Sequence, residues 1–176
     1  VLFTRSDIED GLRSLVEELA ASGVTSRIQV VGGAAIILQA DREVLTSDVD
    51  TLHWTTSGIE AAVERVAQAR RWPSNWLNDA ANMWASHYDT EDDWDIRFHR
   101  DGVSVLVARA PLLLAMKLHA GRGRRDAEDI DLLLGSCGIE TFGDAVAVFD
   151  RYYPVETISP KALRQLHDRF DDSAET

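Results

Sequence analysis

Arg27-Ile-Gln-Val-Val-Gly-Gly33, then Ala34-Ala-Ile-Ile-Leu-Gln-Ala40, then Thr46-Ser-Asp-Val-Asp-Thr-Leu-His-Trp54, is the stretch that decides how this chain folds. The β-branched run 27–31 reads as a strand, and the two glycines that close it supply the backbone freedom of a tight turn. Ala34 to Ala40 is apolar and unbranched enough to begin a helix directly after that turn. Residues 46 to 54 alternate as a second strand does, which puts Asp48, Asp50 and Leu52 on one face and Val49, Thr51 and His53 on the other. Two carboxylates on one face can share a hard divalent cation such as Mg²⁺, and backbone amides at a turn leading into a helix N-terminus can hold a phosphate. Singly, a Gly-Gly pair is more often a plain turn, and an Asp-x-Asp more often a solvated strand edge. Their order along strand, turn, helix and strand joins them into the two halves of a nucleoside-triphosphate site.

Outward from this centre, Ser6-Asp-Ile-Glu9 has the spacing of a capping box and opens a helix from 6 to about 21 with Ile8, Leu12, Leu15, Val16 and Leu19 as its apolar stripe. Ser57 can cap a helix through Ala69 that buries Ile59, Val63 and Val66. Trp76 to Trp84 mixes bulky residues with turn formers and reads as a short helix or an irregular packing segment. Asp95–His99 and Val103–Val107 flank Arg100-Asp-Gly102 as the arms of a hairpin. From Pro111 onward the pattern is helical, over 112–118, 126–134, 140–152 and 159–170. The expected fold is α+β: a small mixed sheet flanked by helices, followed by a helical C-terminal part. One domain over 1–176 is expected, with a core at about 1–109 and a helical extension packed on it at about 110–176.

A chain of 176 residues has room for one compact domain, and its 45% apolar and 27% charged residues are ordinary globular usage. Its formal charge of -12, from 18 basic and 30 acidic residues, opposes non-specific binding to a phosphate backbone, so a nucleic-acid contact must be local. Arg122, Arg124 and Arg125, with Lys117 before them, form the best local basic patch. No apolar run approaches the roughly 20 residues of a membrane span, and the start lacks a secretory pattern, so a cytoplasmic protein without a membrane partner is expected. The single Cys137 forms no internal disulfide and reads as a small residue near a helix end rather than a reactive thiol. The five histidines include no close pair at zinc-ligand spacing, and no Gly-x-Ser-x-Gly occurs. Trp72, Trp76 and Trp84, at near-helical intervals, read as core rather than as stacking platforms for bases.

Val31-Gly32-Gly33, a spacer over 34–47, and Asp48-Val49-Asp50 together resemble the signature of the polymerase-beta-like nucleotidyltransferase superfamily. Leu112-Leu-Leu-Ala-Met-Lys117, Arg122 and Arg125-Asp126-Ala-Glu-Asp129-Ile130 resemble a second block found in the abortive-infection type nucleotidyltransferases, including toxins of toxin-antitoxin pairs, and in a related branch of unassigned function. The two blocks cover roughly residues 28 to 135. The resemblance implies a metal-dependent transfer of a nucleoside monophosphate from an NTP to an acceptor, with release of pyrophosphate. Asp48 and Asp50 would bind Mg²⁺ or Mn²⁺, and Gly32 and Gly33 would approach the triphosphate. Lys117 would neutralise a phosphate or the leaving group, with Arg122 and Arg125 adding positive charge, while Asp129 with Asp126 would extend the acidic cluster or orient Lys117. Ser47 would contact phosphate, although it is equally a turn hydroxyl, and Lys117 is equally an ordinary amphipathic-helix lysine. An RNA such as a tRNA end, or a small cognate protein, would be the further partner. Two departures stand out: Val103–Val107 carries no third carboxylate, for which Asp95 is the candidate substitute, and the nearest Arg before Asp48 is Arg42. Their alternative implication is a catalytically silent nucleotidyltransferase-like binding or regulatory module of a toxin-antitoxin-like system.

Overall fold

The computed structural model describes residues 1–40, 44–53, 57–122 and 124–171, with the backbone alone at 124, 125 and 171. It is α+β, with seven α-helices and a five-stranded mixed sheet among the described residues. Two compact units divide the chain: Val1–Met83 with Trp94–Ala108, and Trp84–Asp93 with Arg109–Thr176.

In the first unit, helix α1 (Arg5–Ala21) buries Ile8, Leu12, Leu15, Val16 and Leu19, the stripe expected from the sequence. Its capping box lies two residues earlier than Ser6 and Glu9. Thr4 Oγ1 accepts the Asp7 N–H at 3.2 Å, and Asp7 Oδ2 accepts the Thr4 N–H at 2.9 Å. The shift has a tertiary cause. Phe3 forms an isolated bridge to Thr46, its N–H donating to Thr46 O at 2.7 Å, so the extended chain is held at Phe3 and Thr4 becomes the cap.

Strand β1 (Ser26–Val31) leads into α2 (Gly32–Gln39), then come β2 (Val49–Leu52), α3 (Ile59–Arg70), β3 (Leu77–Asn78), β4 (Trp94–Arg100) and β5 (Val103–Ala108). The sheet order is β3-β2-β1-β5-β4. β1 is antiparallel to β2 and parallel to β5, which is antiparallel to β4, while β3 is parallel to β2. β2 is shorter than the expected 46–54: Thr46 is taken by Phe3 and Asp48 precedes the strand, while Trp54 lies outside the described residues. The α3 cap is Gly58 at φ 99°, not Ser57. Trp76–Trp84 is neither a single helix nor irregular throughout, because Leu77–Asn78 pairs with β2 and Ala80–Trp84 is a 3₁₀ segment. The hairpin falls where expected, with Asp101 at φ 46° and Gly102 at φ 80°, two left-handed residues that match the twist of the arms. α1 packs on β4 and β5, α2 on β1, β2 and β5, and α3 on α1. Trp76, 1% exposed, is core as read and meets the half-buried Trp72 edge-on, while Trp72 in turn meets Phe3.

The second unit is built on α4 (Ala110–Ala120), whose Leu112–Met116 and Leu118 are buried and which touches α5 (Arg124–Ser136), α6 (Phe142–Tyr152) and α7 (Pro160–Asp171). Cys137 follows α5, and burial pushes its thiol up to about 11, which keeps it protonated and unreactive. No helix among the described residues is long and apolar enough to cross a membrane.

Trp84–Asp93 is bonded to α6 through a buried carboxylate. Asp93 Oδ1 accepts from Tyr152 Oη at 2.7 Å and Arg151 Nη2 at 2.8 Å, and Oδ2 accepts from the Thr90 N–H at 2.8 Å and Thr90 Oγ1 at 3.0 Å. Burial pushes the Asp93 carboxyl up, but the bonds from Tyr152, Thr90 and Arg151 favour the anion more, so it lies below the usual carboxylate range. Burial, then Asp93 itself, pushes the Tyr152 hydroxyl up. A carboxyl depressed in the folded state stabilises the fold above its unfolded value, and that contribution is lost as pH falls through the folded value. Thermal unfolding from pH 5 down to about pH 2.5 should therefore show Asp93→Asn less stable by about 2–4 kcal/mol at the upper end. Its stability should also fall less steeply than the wild type's below about pH 4. Parallel pH profiles would show that Asp93 is not the group titrating.

Candidate functional site

In the first unit the residues singled out by the sequence gather where β1 hands over to α2. Val31 pairs with Asp50 across the β1–β2 ladder, and the next residue, Gly32, takes φ 65° to turn the chain into α2. A Cβ on Gly32 would lie 2.6 Å from Asp50 Oδ2 and 3.3 Å from Asp50 Cβ. Only glycine satisfies both the left-handed backbone and this approach. The Asp50 carboxyl is thereby laid against the first residue of an eight-residue helix whose N-cap, Val31, provides no side-chain bond. Helix N-termini carry partial positive charge and unsatisfied N–H groups, so an acidic side chain or a phosphate is stabilised there. Gly33, like Gly32 and both aspartates, is half-buried, so this end of α2 is partly open to solvent.

Asp48 stands one residue ahead of β2, so of the expected face the strand itself carries Asp50 and Leu52. Two hydroxyls bond Asp48: Ser47 Oγ donates to its Oδ1 at 3.2 Å, and Thr46 Oγ1 to its backbone O at 3.1 Å. Ser47 thus acts on Asp48. Thr46 was not singled out by the sequence, yet its Oγ1 would be 3.4 Å from a Cβ on Gly33, which makes it the second wall beside the glycines. Its signal is weak, a hydroxyl two residues before the first aspartate.

Asp95, the candidate third carboxylate, is not brought to this pair. It lies on β4, in register with Val107 and so with Val30, whereas Asp50 is in register with Val31. Paired residues share a face and consecutive ones do not, so Asp95 and Asp50 occupy opposite faces, and three strand spacings of about 4.8 Å separate their strands. Asp95 instead accepts from Gln39 Nε2 at 3.0 Å, at the far end of α2. Among the described residues no group of three or more His, Cys, Asp or Glu could hold a metal. Two carboxylates with hydroxyls beside them still fit Mg²⁺, which commonly takes one or two carboxylates and completes its shell with water and substrate phosphates.

The second unit holds the other block. Lys117 Nζ donates to Asp126 Oδ1 at 2.7 Å and to Asp129 Oδ2 at 2.8 Å, and the Arg122 N–H donates to Asp126 Oδ2 at 3.0 Å. The Asp126 side chain is 2% exposed and that of Lys117 15%. Lys117 projects from the last turn of α4 and the aspartates from the first turns of α5, so the bend at Gly121, left-handed at φ 54°, closes one helix end onto the next. Both aspartates are thus bonded to Lys117. Arg122 takes part through its backbone while its side chain is exposed. The side chain of Arg125, and Arg42, lie outside the described residues. No protein-family model, no curated protein and no solved structure matches the chain.

Proposed function

We propose that the chain is a metal-dependent nucleotidyltransferase that moves a nucleoside monophosphate from an NTP to an acceptor. The observation that carries this reading is the fit of Asp50 against Gly32, which joins a carboxylate, a glycine turn and a helix N-terminus in one place. Asp48 and Asp50 would hold Mg²⁺ or Mn²⁺, and the ion would supply neutralisation of the triphosphate and of the charge that develops on the departing pyrophosphate. Gly32 and Gly33 would bring the α2 amides to phosphate oxygens. Ser47 orients Asp48. Lys117 and Arg122 belong to the reading as the cationic block of the second unit, with Asp126 and Asp129 fixing the lysine.

Incubation with labelled NTPs, Mg²⁺ or Mn²⁺, and total RNA or protein acceptors tests the proposal. Label should pass to an acceptor, and Asp48→Asn and Asp50→Asn should each lower the rate by roughly 100-fold or more while unfolding cooperatively. Undiminished transfer in both variants would remove the metal role of the pair. The absence of a carboxylate from Val103–Ala108, together with the remote position of Asp95, favours a second reading, a silent NTP-binding module. Metal-dependent NTP binding by calorimetry with no transfer to any acceptor would select it.

A further inference from the structure

β3 is two residues long, and its second, Asn78, pairs with Asp50 across the parallel β2–β3 ladder. Paired residues share a sheet face, so the Asn78 carboxamide and the Asp50 carboxylate leave the same face, one strand spacing of about 4.8 Å apart. Asn78 is held on two sides. Its backbone O accepts from Oγ1 of the buried Thr51 at 2.9 Å, and its Oδ1 accepts the Ala80 N–H at 3.0 Å. The second bond is an Asx turn, and it fixes which end of the carboxamide is the oxygen. A turn of this kind asks only for an acceptor, which Asp or Ser supplies as well. The other half of the group, Nδ2 with its two protons, donates to none of the described residues and stays within reach of solvent on a half-buried residue.

The order of the strands gives that donor a place in the site. Val31, which leads into α2, pairs with Asp50 from one side and Asn78 pairs with it from the other. The α2 N-terminus, Asp50 and Asn78 therefore lie in a row across β1, β2 and β3. On the nucleotidyltransferase reading, on which this inference rests, the outer phosphates of the NTP meet the α2 amides and the α-phosphate lies at the ion held by Asp48 and Asp50. The α-phosphate joins those phosphates to the sugar, so a nucleotide lying along the row carries its ribose toward β3. The anionic end is served by the helix N-terminus, and the neutral hydroxyls at the other end suit a neutral amide donor.

We propose that Asn78 Nδ2 donates to a ribose hydroxyl of the bound NTP, and that this bond makes the site discriminate against the analogue lacking that hydroxyl. A site built around a substrate hydroxyl leaves its own donor unpaired when the hydroxyl is missing. At a half-buried donor the loss is about tenfold in affinity.

Calorimetry on the full chain with Mg²⁺ and each of the four NTPs selects the best-bound nucleotide, which is then compared with its 2′-deoxy and 3′-deoxy forms. The wild type should bind one of the two deoxy forms about tenfold more weakly, and which one identifies the hydroxyl. Asn78→Ser, which keeps an acceptor for the Ala80 N–H, should bind the NTP and that deoxy form alike, both as weakly as the wild type binds the deoxy form. A merely structural Asn78 would weaken both ligands by the same factor and keep the wild-type ratio, an outcome that overturns the proposal. Unchanged NTP affinity in Asn78→Ser overturns it too. So does a wild type indifferent to both deoxy forms, a comparison that needs no variant to fold. If that indifferent binding is lost in Asp50→Asn, the inference alone falls; a wild type that binds no NTP with Mg²⁺ takes the nucleotide reading down with it.

Discussion

Lys117→Met should lower the stability of the protein by about 3–5 kcal/mol, measured by urea unfolding without nucleotide. The cause is the carboxylate left behind. Asp126 is 2% exposed at its side chain, and among the described residues the Arg122 N–H at 3.0 Å is the donor that remains to it without Lys117. A buried anion without a counter-charge is among the few single changes that cost this much. Asp129, at 24% exposure, can be hydrated, so Asp129→Asn should cost only about 1 kcal/mol. Lys117→Met with Asp126→Asn should recover much of the loss, because two neutral groups replace an uncompensated charge. A cost below about 1 kcal/mol for Lys117→Met would mean that the pair is not held as a buried ion pair. A pure phosphate ligand would give the opposite pattern, a stable variant with impaired turnover.

Gly32→Ala should cost about 2–4 kcal/mol and abolish the arrangement of Asp50. The left-handed backbone at φ 65° contributes about 1–2 kcal/mol of that for any residue with a Cβ. The remainder comes from the added carbon, which would stand 2.6 Å from Asp50 Oδ2. Two further variants separate these parts. Gly23 has φ 67° with nothing within 4 Å of a Cβ, so Gly23→Ala should show the backbone cost alone. In Gly32→Ala with Asp50→Ala the collision is removed, and the added cost of the glycine change should fall to that same level. Strict additivity in the double variant would show that Asp50 does not lie against Gly32. NTP turnover, if present, should be lost in Gly32→Ala even under conditions where it is fully folded.

The sequence is most legible where one local rule acts alone. The α1 stripe, the Asp101-Gly102 hairpin turn and the helical last third all follow from periodicity or turn chemistry. Displacements arise where a distant partner intervenes. Thr4 rather than Ser6 caps α1 because Phe3 is held by Thr46, 43 positions away along the chain, and the same bridge removes Thr46 from β2. α2 starts at Gly32 rather than Ala34, since the tight turn at the end of β1 places both glycines in the first helical turn despite their poor propensity. β3, at two residues, is too short to leave a period. At the site, residue types and order were readable, but contacts were not. That Asp50 lies on Gly32 depends on the β1–β2 register, and that Lys117 is clamped by two aspartates depends on the angle between α4 and α5. The want of a nearby third carboxylate was visible in Val103–Val107, and the register of β4 explains why Asp95 does not supply it.

Trp84–Asp93 also bears on how the molecule is made. Ser86, Asp93 and Trp84 bond to Tyr152, Arg151 and Tyr153, partners 58 to 69 residues further along. At about 5–20 residues per second, a ribosome needs roughly 3 to 14 seconds to deliver them. β4 and β5 flank only a two-residue turn, so the hairpin can form as soon as it emerges, well before α6 exists. Residues 84–93 must therefore wait as a loop, with the Asp93 carboxylate in water, until Tyr152 is synthesised. A chain released after Ala108 would keep that loop permanently and carry its Trp84 and Asp93 side chains exposed. The nascent chain accordingly has a defined interval in which this segment is open to proteases and chaperones.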